Sequence, residues 1–133
     1  MQRGASAAQD ARYTDKMEVL LKTKKFASIL SKPVNIKKVN LDVMRPWITD
    51  QITTILGLED DVVIEYVISL LESEKNAKNI QIKLTGFLEA KTAEFMRQLW
   101  TLLLSAQESV GGIPQVFMDQ KKKELMIQKV YLI

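Results

Sequence analysis

The most constraining stretch of this 133-residue sequence is Val62–Glu72. Val62, Val63, Ile64, Tyr66, Val67, Ile68, Leu70 and Leu71 make it apolar nearly all round. A helix with that pattern has little face to offer water and belongs in the centre of a bundle. Its β-branched content also suits a buried strand. Length favours a helix, and so does the preceding Glu59-Asp60-Asp61, because acidic side chains are favourable at the positive end of a helix. The rest of the chain must then supply helices that surround this one.

Arg45–Leu56 is the first of them. Trp47, Ile48, Ile52, Ile55 and Leu56 recur at helical spacing, and Gly57 supplies the terminating residue. Asn40 is placed to cap a first turn at Leu41–Met44. Pro46 has no N–H to give that turn, so the helix either starts or kinks there. Thr92 is read as the cap of the longest helix, about Ala93–Ser109, with Phe95, Leu99, Leu102, Leu103 and Ala106 as its core stripe and Trp100 beside it. Gly111-Gly112 and Pro114 end it, and Val116–Ile133 can form a further helix that exposes Lys121-Lys122-Lys123. Near the amino terminus, Asp15 and Glu18 form a capping-box pair for a helix expected to reach about Leu30. Lys32-Pro33 stops it, and Pro33–Val39 reads as a loop packed on the domain. Ser73–Asn79 reads as a polar loop. Ile80–Leu84 alternates like a strand, while Ile80, Leu84, Phe87 and Leu88 fit a helix, and periodicity leaves the two even.

Composition removes several chemistries. There is no cysteine and no histidine, which excludes disulfides, thiolate metal sites, serine–histidine triads and the common zinc centres. No apolar run reaches the roughly 18 residues needed to span a bilayer, and Met1–Gln9 has no apolar signal core. The Walker spacing is absent, and Gly111-Gly112 follows a helix rather than preceding one. The acids Glu59-Asp60-Asp61 point in different directions on one turn and read as helix-end electrostatics rather than a cation site. No nucleophile–base pair is evident, so no enzyme activity, cofactor or metal is expected. Trp47 and Trp100 fall at or beside apolar stripes and read as core residues rather than base-stacking platforms.

The net charge of +3 hides an asymmetry. Residues 1–39 carry a net +6, residues 40–112 a net −5 and residues 113–133 a net +2. Basic flanks attract the phosphate backbone of nucleic acids regardless of sequence. Lys16, Lys22, Lys24 and Lys25 share the amino-terminal helix, and Lys32, Lys37 and Lys38 follow on the connector. Lysine is a point-charge phosphate binder, suited to sequence-tolerant contact.

The triplet Pro46-Trp47-Ile48, its context "VNLDVMRPWITDQITTILGLEDDVVIEYV", and the later segments "LTGFL" and "EFMRQLWTLLLSAQE" together resemble the PWI domain, a module named for that triplet. The likeness covers about residues 9–118 and settles Ile80–Leu88 as a short helix. The expected architecture is an all-α four-helix bundle over residues 40–113. A basic helical flank over 12–39 precedes it, a disordered terminus occupies 1–11, and a basic extension covers 114–133. The resemblance implies a nuclear monomer that binds RNA and DNA, single- or double-stranded, through the domain and its basic flank. It places that binding in pre-mRNA splicing and 3′-end processing, among spliceosome-associated proteins. The rival expectation is a protein-interaction module whose acidic helical surface docks a splicing partner. A structural helical domain without a ligand is the third.

Overall fold

The computed structural model describes residues 26–132. Five α-helices account for most of them: α1 (Leu41–Leu56), α2 (Asp61–Ser73), α3 (Ala77–Leu88), α4 (Thr92–Glu108) and α5 (Gln115–Leu132). Among the described residues there is no strand, and the first four helices form the expected all-α bundle. Two 3-10 turns, Ser28–Ser31 and Ile36–Lys38, precede it. A third, Glu89–Lys91, joins α3 to α4.

Local chemistry sets the helix ends. The side chain of Asn40 accepts from the N–H of Asp42 at 3.1 Å and opens α1. Pro46 lies inside α1, so the helix neither starts at the triplet nor ends there. Gly57 closes it at φ 80°, a left-handed conformation that costs glycine little. Asp60 caps α2 through the N–H groups of Val62 and Val63, at 3.0 and 3.3 Å. Asn76, from the segment read as a polar loop, caps α3 through the N–H of Lys78 at 2.9 Å.

Three expectations about helix ends and lengths need correction. Thr92 is the first residue of α4 rather than its cap, and its hydroxyl donates back to the Glu89 carbonyl at 2.7 Å. The longest described helix is α5, not α4. The helix expected to reach about Leu30 falls largely outside the described residues, and its described end, Phe26–Leu30, is not α-helical: Ala27 is extended and a 3-10 turn follows.

The core is built on every helix of the bundle. Met44, Ile48 and Ile52 lie one turn apart on α1 and are fully buried. Val63, Ile64, Val67, Ile68, Leu70 and Leu71 bury one side of α2, but its expected central position does not hold: Val62 is 77% exposed, Glu65, Ser69 and Glu72 are exposed with it, and α3 is the helix that packs against α1, α2 and α4 together. Ile80, Leu84 and Leu88 of α3 meet Phe95, Met96, Leu99 and Leu103 of α4 in the same core. Side chains of this size contribute roughly 1.5–3 kcal/mol each when fully buried. Two polar side chains, Gln81 and Thr92, are enclosed with them. Gln81 on α3 is 1% exposed, and neither its Nε2 nor its Oε1 has a hydrogen-bond partner.

Candidate nucleic-acid interface

The connector between the two early 3-10 turns is tied to α4 by side chains. The indole Nε1–H of Trp100 donates to the Lys32 carbonyl at 2.9 Å. Gln107 then grips the next two residues: its Nε2 donates to the Pro33 carbonyl at 3.2 Å, and its Oε1 accepts the Asn35 N–H at 2.7 Å. The Asn35 side chain accepts from the N–H of Lys37 at 3.1 Å and folds the Ile36–Lys38 turn. At the far end, the Asn40 N–H donates to the Gly112 carbonyl at 2.9 Å. Gly112 has φ 70°, and a Cβ there would lie 2.5 Å from the Lys38 carbonyl oxygen. Glycine is therefore what lets the connector close on the end of α4.

This fastening presents Lys32, Lys37 and Lys38 on the surface, all three exposed. A groove of about 670 Å³ runs between the connector and the α2–α3 turn, and both Lys37 and Lys75 line it. An adjoining groove of about 440 Å³ is lined by Lys32, Lys75 and Lys78. The two share Pro33, Glu74, Lys75 and Trp100. A shallower depression beside the first is lined by Lys37 and Lys38. Five lysines thus follow one continuous surface, drawn from two segments roughly forty residues apart. None of the five forms an ion pair among the described residues.

The groove also contains carboxylates, and their engagement matters. The backbone N–H of Asn76 hydrogen-bonds Glu74 and holds its carboxyl below the ordinary carboxylate range, with Lys83 adding to the effect at 3.3 Å. Glu74 is thereby committed to the α2–α3 turn. Glu72 also lines the larger groove, which tempers its positive character. The Lys78 ammonium sits 5.7 Å from the centre of the Phe26 ring, a cation–π contact that steadies it beside the groove.

Lys75 and Lys78 escape sequence reasoning because they sit in a segment without periodicity, read as a solvated loop. The asparagine cap two residues before Lys78 is the local signal that orders the segment. Of the residues expected to carry the interface, Lys16, Lys22, Lys24 and Lys25 lie outside the described residues. Lys32, Lys37 and Lys38 are brought together with Lys75 and Lys78.

The triplet residues occupy three environments. Ile48 is fully buried, Trp47 is half-buried and Pro46 is exposed, so Pro46 is not a core residue. The Trp47 ring stacks on Phe95 at a centroid distance of 5.9 Å and an interplanar angle of 18°, which covers one of its faces. Trp100 is 4% exposed and has its N–H engaged by the connector, so it fastens the groove instead of stacking on a base.

The PWI domain family pattern matches residues 42–111, more than half of the chain and almost the whole of α1–α4. The chain belongs to the PWI domain family. Over 130 residues it is also 52% identical to the serine/arginine repetitive matrix protein 1 of Gallus gallus. That match covers 96% of this chain but only 15% of the relative's length. The PWI match begins after the lysine-bearing connector and ends before α5, so Lys32, Lys37 and Lys38 lie outside the PWI core while Lys75 and Lys78 lie within it.

Proposed function

We propose that this PWI domain is a nucleic-acid-binding module that holds the phosphate backbone with little regard to sequence. The observation that carries the proposal is the row formed by Lys32, Lys37, Lys38, Lys75 and Lys78, spread over grooves that share a common wall. Lys16, Lys22, Lys24 and Lys25 of the flank extend the same positive charge along the sequence. Exposed lysines on flexible stems fit phosphate oxygens better than base edges, which are read more often by bidentate arginine, asparagine or glutamine. Both RNA and DNA are accommodated by such contacts. The module works as a monomer and a binder rather than a catalyst, with no cofactor. Its setting is nuclear pre-mRNA splicing, among spliceosome-associated proteins, a reading that the family and the serine/arginine repetitive relative support; 3′-end processing is part of the same proposal.

The test is a titration of the whole chain against single- and double-stranded RNA and DNA, each at two salt concentrations. The expected result is binding to several unrelated sequences with similar affinity, weakening steeply with salt. Binding confined to one sequence, or insensitive to salt, contradicts the proposal.

A further inference from the structure

The opposite chemistry is gathered along α2. Val62 and Tyr66 lie one turn apart along this helix, Val62 facing outward and Tyr66 half-buried at the edge of the core. Val62 is 77% exposed, and the Tyr66 ring contacts Phe87 of α3 at 5.5 Å between centroids. Phe87 is itself 47% exposed, and Leu58, in the turn leading into α2, is 59% exposed. Single exposed apolar residues are ordinary on a protein surface, but a contiguous set across two helices marks an interaction site.

The charge beside this patch is negative. Asp61 and Glu65 are four residues apart on the flank of the Val62–Tyr66 stripe, and both are exposed. The neighbouring cation is Arg45 of α1, which is ion-paired with Glu65. The Arg45 guanidinium is pushed above its usual value, chiefly by its hydrogen bond to Glu65, with Asp42 and Glu72 adding to the negative field. Asp61 forms no ion pair among the described residues. Such a surface repels a phosphate backbone and attracts a basic polypeptide.

We propose that the exposed face of α2, together with Phe87, docks a lysine- or arginine-rich amphipathic helix of a partner protein. Its apolar side seats on Val62, Tyr66 and Phe87, and its cations meet Asp61 and, in exchange with Arg45, Glu65. This is the helix-on-apolar-face mode of recognition, with the acidic edge setting orientation and excluding acidic helices. The occupant is selected by charge complementarity: the bundle, residues 40–112, has a net charge of −5. The inference does not depend on the lysine row, which is formed by other residues.

The probe is a synthetic 18-residue peptide with leucine at helical i, i+3, i+4 and i+7 spacing and lysine elsewhere. Its control has glutamate in place of every lysine. Fluorescence anisotropy of the labelled peptides is read against the whole chain and two double variants, V62S/F87S and D61K/E65K. All four positions are exposed, and retention of the fold is checked by circular dichroism. The lysine peptide is expected to bind the unmodified chain, to lose at least about tenfold in affinity to each variant, and the glutamate peptide is expected not to bind; a loss of that size is what removing central apolar anchors or reversing a complementary charge produces. Absence of binding by the lysine peptide, equal binding of both peptides, or undiminished binding to the variants overturns the proposal. So does sedimentation of the unmodified chain as a dimer that V62S/F87S converts to monomer, because the occupant is then a second copy.

Discussion

The indole of Trp100 on α4 donates its N–H to the main-chain carbonyl of Lys32, a contact that spans 68 residues of sequence. It joins the core of the bundle to the segment that carries the exposed lysines. Trp100→Phe keeps most of the apolar volume and removes the donor. A lost neutral hydrogen bond costs about 1 kcal/mol. The sharper effect is expected locally: amide exchange at Lys32, Lys38 and Val39, whose N–H groups close the two 3-10 turns, should accelerate more than exchange in α2. Equal acceleration throughout the bundle would mean that Trp100 contributes only to general packing.

Gly111 and Gly112 both have positive φ, at 88° and 70°, yet only Gly112 has crowded surroundings. Alanine at Gly111 meets no atom within 4 Å and should cost about 1 kcal/mol of left-handed backbone strain. Alanine at Gly112 meets the backbone of Lys38 and Asn40 and should cost about 2–4 kcal/mol, since backbone cannot move aside cheaply. Denaturant midpoints of the two variants compare them directly. Similar losses would show that closure of the connector on this turn contributes little.

Gln81 buries an amide with no hydrogen-bond partner, and such a group costs about 1–3 kcal/mol. Gln81→Leu substitutes an apolar side chain of similar length among Ile80, Leu84 and their neighbours. The variant is expected to be more stable by about 1 kcal/mol, measured as a rise in the urea midpoint with unchanged slope. A destabilised variant would show that the amide is engaged within the folded protein.

Arg97 hydrogen-bonds both oxygens of Glu94, and with help from Gln98 it lowers that carboxyl to about 2 from an ordinary 4.5. The folded value lies below the unfolded one. The contribution to stability is therefore complete above about 4.5 and is lost as pH falls through that value towards 2. The pair is fully exposed, so its effect on overall stability is small. A carboxyl NMR titration should give a Glu94 midpoint near 2 in the unmodified chain and an upward shift in Arg97→Gln. An unshifted midpoint in the variant would contradict the assignment of cause.

Much of the bundle was readable from short-range chemistry. Asn40, Gly57 and Asp60 act as the helix-end residues their types suggest, because caps use the atoms of neighbouring residues. Thr92 has the residue type of a cap, but its hydroxyl has a competing acceptor in the Glu89 carbonyl, created by a 3-10 turn that no periodicity announces. Pro46 gave two local options, and tertiary packing of Met44, Ile48 and Ile52 on one face carried the helix through it. The candidate interface was only half readable. Lys32, Lys37 and Lys38 stand out as a charge run, whereas Lys75 and Lys78 join them through a fold contact that sequence spacing does not encode. Val62 shares its neighbours' apolarity, but the α2 geometry turns it outward with Glu65, Ser69 and Glu72.

The lysine row is tested most directly by replacing Lys32, Lys37, Lys75 and Lys78 together with glutamine and measuring affinity for single-stranded RNA over a range of salt concentrations. Each phosphate contact on a single strand contributes about −0.7 to the slope of log affinity against log salt. Removal of four contacts should reduce the slope by up to about 3 units and weaken all sequences by a similar factor, with little difference from the unmodified chain at high salt. A quadruple variant that folds normally and keeps both its affinity and its slope would show that these lysines form a solvated surface and not a nucleic-acid interface.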